Sequence, residues 1–77
     1  MSTRPDDRLV ALISQWLARH VADDELRRQI DEIGVVGLDA EQREAVDELL
    51  AALDEGSARG ALERTARETL EALALGG

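Results

Sequence analysis

The sequence predicts an all-α fold, a compact bundle of four short helices over residues 5–21, 24–33, 40–55 and 58–74. Three observations carry this. Apolar residues recur at i, i+3, i+4 and i+7 along most of the chain and nowhere alternate as a half-buried strand requires. Helix entry and exit residues punctuate the pattern at short intervals, with Asp23, Asp39 and Ser57 before apolar runs and Gly34 and Gly56 after them. The chain has 77 residues and a single aromatic, Trp16, so its core must be built from Leu, Ile, Val and Ala around one indole. A chain of this length makes one domain, residues 1–77, that buries only about 60% of its unfolded surface. Residues 1–4 and 75–77 are expected to be flexible ends.

The first helix carries the broadest apolar stripe, Leu9, Leu12, Ile13, Trp16, Leu17 and Val21, and is expected to be the centre of the core. Pro5 suits its first turn, where a missing N–H costs nothing, and Thr3 and Asp6 have capping-box-like spacing. His20 is expected as a cation in its last turn. The second helix is marked by Leu26, Ile30 and Ile33, with Asp23 as its N-cap. Arg27–Asp31 and Arg28–Glu32 have i, i+4 spacing, and Gly34 is placed for a left-handed ending with Val35 folding back on Ile30. The apolar connection Val35, Val36, Gly37, Leu38 is expected to plug one end of the bundle. The third helix enters at Asp39 with Gln42 at the third helical position, a capping-box pair, and turns Val46, Leu49, Leu50 and Leu53 inward. The fourth, capped by Ser57, turns Leu62, Ala66, Thr69, Leu70 and Leu73 inward; Glu63–Arg67 and Arg67–Glu71 are spaced to pair on its outer face.

Charge is unevenly spread. Nine Arg, no Lys and 17 acids give −8. Residues 1–22 contribute +1 (three Arg, two acids), residues 23–38 −3 (two Arg, five acids), residues 39–56 −6 (one Arg, seven acids) and residues 57–77 zero (three of each). Such a chain is a poor ligand for phosphate backbones and for anionic membrane surfaces. It holds no apolar run near the roughly 20 residues of a membrane span, and its first residues lack the apolar region of a signal peptide. The expected location is cytoplasmic, and the Arg-only, Ala- and Leu-rich composition suggests a GC-rich bacterial genome.

Little reaction chemistry is available. Without cysteine there is no disulfide and no thiolate metal site. The only histidine, His20, lies nearly two helical turns from Ser14, too far along one helix to act with it. Adjacent acids such as Asp47–Glu48 point about 100° apart on a helix and do not converge. Gly37-Leu38-Asp39-Ala40 resembles the Gly-x-Asp-Ser entry of acyl and peptidyl carrier proteins, but Ala40 has no hydroxyl to carry phosphopantetheine. The terminal Gly76-Gly77 is similar to the double-glycine end of processed precursors, although Glu71, Leu73 and Leu75 are off the spacing of leader peptides.

The sequence therefore predicts a non-catalytic protein–protein interaction module, an adaptor or regulatory subunit, with no cofactor, metal, nucleic acid or small-molecule substrate. Two surfaces are candidates. Glu41, Glu44, Asp47 and Glu48 form an acidic helix face suited to a basic partner, and Val10, Leu17 and Val21 widen the apolar side of the first helix enough for self-association as a homodimer, with Val10 and Leu17 as its contact residues. The alternative is a precursor or degenerate carrier-like protein whose Gly-Gly end is processed.

Overall fold

The computed structural model describes residues 4–75. It has four helices, α1 (Pro5–Leu17), α2 (Asp23–Ile33), α3 (Ala40–Glu55) and α4 (Arg59–Leu75), and no strand among the described residues. α1 packs on α2 and α4, α3 packs on α4 and more lightly on α2, so the helices close a ring in chain order. The radius of gyration is 11.3 Å, against about 11 Å for a compact chain of this length.

The four-helix architecture is as predicted, and so is the place of the first helix. Leu9, Leu12, Ile13 and Trp16 of α1 meet Leu26 and Ile30 of α2, Val46 and Leu49 of α3, and Leu62, Ala66 and Leu73 of α4 in one cluster, with Leu38 beneath it. Trp16 is wholly buried. The connection after α2 plugs the bundle with Leu38 and half-buried Val35, whereas Val36 points out and is 87% exposed. Among the described residues two polar side chains sit in the core, Gln42 and Thr69, and both are satisfied. Thr69 Oγ1 lies 2.8 Å from the Thr65 carbonyl and 3.2 Å from that of Ala45. Gln42 completes the predicted capping box: its N–H donates to Asp39 Oδ1 at 2.8 Å, and its side-chain oxygen accepts the Asp39 N–H. Its amide Nε2 then donates to the Leu73 carbonyl near the end of α4, fastening two helix termini together.

Several ends differ from expectation, each for a local reason. α1 stops at Leu17, four residues early, because Arg19 turns into the left-handed region at φ 68°. The Arg19 N–H then donates to the Trp16 carbonyl and the His20 N–H to that of Gln15, a Schellman ending with arginine where glycine is usual. His20 thus lies beyond the helix and is exposed, and its backbone rather than its ring satisfies the helix end. Asp23 is the first residue of α2, not its cap; Ala22 holds that position with no side-chain bond. Thr3 lies outside the described residues, and Arg4 occupies the N-cap position of α1. Gly34 has a positive φ of 78° but an extended ψ of −178°, so α2 does not end in the left-handed turn expected. The charged pairs are redistributed. Arg27 reaches across to Asp54 of α3, Arg28 binds Glu25, and Glu63 is taken by Arg59 instead of Arg67. α4 runs to Leu75, which is helical; residues 1–3 and 76–77, including the Gly-Gly end, lie outside the described residues.

Candidate functional site

Two features stand out, one polar constellation at the end of α1 and one face of α3. The first is built on Trp16. An indole brings a large apolar surface and one N–H that needs a partner when buried. Here Nε1 donates to Asp23 Oδ1 at 2.7 Å, across the 18–22 connection. Arg59, the first residue of α4, lays its guanidinium over the ring at 4.1 Å from the centroid and donates through Nη2 to the Trp16 carbonyl at 2.9 Å. Its Nε donates to Glu63 Oε2 at 2.9 Å, and its Nη1 stands 3.8 Å from Asp23 Oδ1. That bond from Arg59 holds the Glu63 carboxyl below its ordinary pKa. One indole thus joins α1, α2 and α4. Sequence reasoning missed Arg59 altogether. A buried indole N–H needs an acceptor, but nothing local links Trp16 to Asp23 or to a residue 43 positions on.

The second feature is the predicted acidic face. Glu41, Glu44, Asp47 and Glu48 are all exposed. At 100° per residue they fall on the side of α3 opposite Val46 and Leu49. None of the four forms an ion pair among the described residues, whereas Asp54, six residues beyond Glu48, is bound by Arg27. The structure therefore brings these four candidates together as one uncompensated stripe. Val10 and Leu17 share a side of α1, but both are half-buried against the core, so less of that apolar side is free than the sequence suggested. Among the described residues, the large apolar side chains left exposed are Val36 and Leu75.

The remaining chemistry is sparse. Ser14 and His20 are exposed and Thr69 is buried with its hydroxyl committed to carbonyls. Among the described residues no three His, Asp or Glu side chains gather as a metal site would need. A groove of about 250 Å³ runs between α1 and α2, over Leu12 and Ile33 and between Arg8, Gln15, Gln29 and Glu32. It falls below the roughly 300–1,000 Å³ of small-molecule sites, and none of its polar side chains is buried. Among the described residues no helix is long and apolar enough to cross a membrane. Comparison with protein-family models, with curated proteins and with solved structures found no match to this chain.

Proposed function

We propose that this chain is a non-catalytic helical interaction module, an adaptor or regulatory subunit, that receives a basic partner on the outer face of α3. One observation supports the reading: Glu41, Glu44, Asp47 and Glu48 lie together on that face, exposed and without a cation of their own among the described residues. Such a surface speeds encounter with an Arg- or Lys-rich face and rejects acidic ones. Its carboxylates are held by a capped, well-anchored helix, so they are presented in one arrangement and not as a floppy tail.

The test begins with cross-linking in the native cell and mass spectrometry to identify the bound protein, followed by titration calorimetry of the purified pair. Glu44→Lys with Asp47→Lys is expected to weaken binding by at least about 100-fold, on the order of the 2–5 kcal/mol that broken interface charge pairs cost, while helical circular dichroism stays intact. Retained affinity in the double variant rules the face out. A second copy of the chain, meeting through Val10 and Leu17, is the same kind of module with itself as partner. Light scattering of the isolated chain decides between the two: a monomer at micromolar concentration leaves only the basic partner.

A further inference from the structure

Of the four helices, α2 is the least able to stand alone. It is 11 residues long, below the roughly 12–15 at which isolated helices become even marginal. Ala22 gives its N-terminus no side-chain cap, and Asp31 and Glu32 sit near the negative end of its dipole with no basic residue in the last turn. It contributes only Leu26 and Ile30 to the fully buried core. Its charge adds to this. α2 holds Asp23, Asp24, Glu25, Asp31 and Glu32 against Arg27 and Arg28, five acids less two arginines, or −3. α3 holds Glu41, Glu44, Asp47, Glu48, Asp54 and Glu55 against Arg43, six acids less one arginine, or −5. These two negative helices are neighbours, and theirs is the lightest junction in the ring. The ion pair across it, Arg27 with Asp54, is about half exposed on both sides and so contributes little.

Both flanking connections leave the helical path at residues of positive φ. Before α2, Arg19 is held at φ 68° by two backbone bonds. After it, Gly34 and Gly37 stand at φ 78° and 94°. On the other side of α2, a groove over Leu12 and Ile33 runs along its seam with α1.

We propose that α2 is a flap tuned by charge. It lifts from the bundle as a unit on the 18–22 and 34–39 connections, and repulsion from α3 sets how often it does so. Lifting breaks the Trp16–Asp23 and Arg27–Asp54 contacts and bares the flank of α1 at Leu12 and Trp16. Screening of the α3 acids closes it. This device stands independently of whether the α3 face binds a partner, because dissolved salt alone operates it.

Hydrogen–deuterium exchange of the full chain near neutral pH tests this. Raising salt from about 10 mM to about 0.1 M shortens the Debye length from about 30 to about 10 Å. At low salt the amides of residues 27–33 are expected to exchange at least about tenfold faster than those of residues 46–50, as a separately opening unit does. The gap is expected to narrow at least about threefold at the higher salt as the repulsion is screened. Arg27→Gln, which removes the bridge and one positive charge, widens the gap while the α3 and α4 rates hold. Three results overturn the proposal: equal protection of α2 and α3 in both salts, a gap that salt does not move, or an Arg27→Gln variant that accelerates all four helices alike.

Discussion

Arg19 and Gly56 solve the same problem with different residues. Each follows a helix, each takes a positive φ (68° and 69°), and each sends its N–H back three residues while the next N–H reaches back five. Glycine enters that conformation freely; a side chain with a Cβ pays roughly 1 kcal/mol or more for it. The α3 ending was legible because its residue is the expected one. The α1 ending was not, since an arginine after an unbroken apolar stripe reads as one more helical turn. The structure makes the difference testable at this one residue. Arg19→Gly is expected to raise unfolding free energy by about 0.5–1 kcal/mol, read as a higher denaturant midpoint with an unchanged slope. A loss of stability would mean that the Arg19 side chain contributes more than its backbone costs.

At the scale of elements, the contact that organises the bundle is the meeting of three helix ends at Trp16. The indole comes from the end of α1, its hydrogen-bond acceptor from the start of α2, and its guanidinium cover from the start of α4. Arg59→Ala removes the ring contact and the bond to the Trp16 carbonyl, and is expected to cost about 1–3 kcal/mol. Arg64→Ala, on the exposed side of the same helix, is the control and should cost far less. The same variant has a proton signature. With Arg59 present the folded Glu63 carboxyl titrates below its ordinary value, so its contribution is in place above the ordinary carboxylate range and is lost as pH falls through the lower folded value. In Arg59→Ala, NMR titration of Glu63 is expected to return toward that ordinary value, and the acid-dependent loss should shrink. The capping box at Asp39 and Gln42 was readable from four residues because its chemistry is local. The Trp16 cluster spans 43 residues between partners, and only the fold brings them together. The same limit hid the second bond of Gln42, to Leu73, behind a correctly read first one.

For the molecule as a whole, the apolar period and the short connections were enough to name the bundle, because a chain with one indole and short aliphatic stripes has few other ways to bury them. The uneven charge was equally plain. What no linear count conveyed is that the two most acidic helices lie side by side with one ion pair between them. A domain with net charge −8 gains when its own repulsion is screened, and its thermal midpoint is expected to rise by about 4–8 °C from about 10 mM to about 0.1 M salt, the shift that roughly 1 kcal/mol makes at this size. A midpoint that falls instead would mean that attractive ion pairs outweigh the like charges. The seat of Trp16 has one more consequence. The chain has no tyrosine and no phenylalanine, so all of its near-ultraviolet absorbance and emission come from a single ring pressed beneath a cation and tethered to a carboxylate on another helix. Its colour is a property of three segments at once, and whatever disturbs their meeting point reports itself without a label.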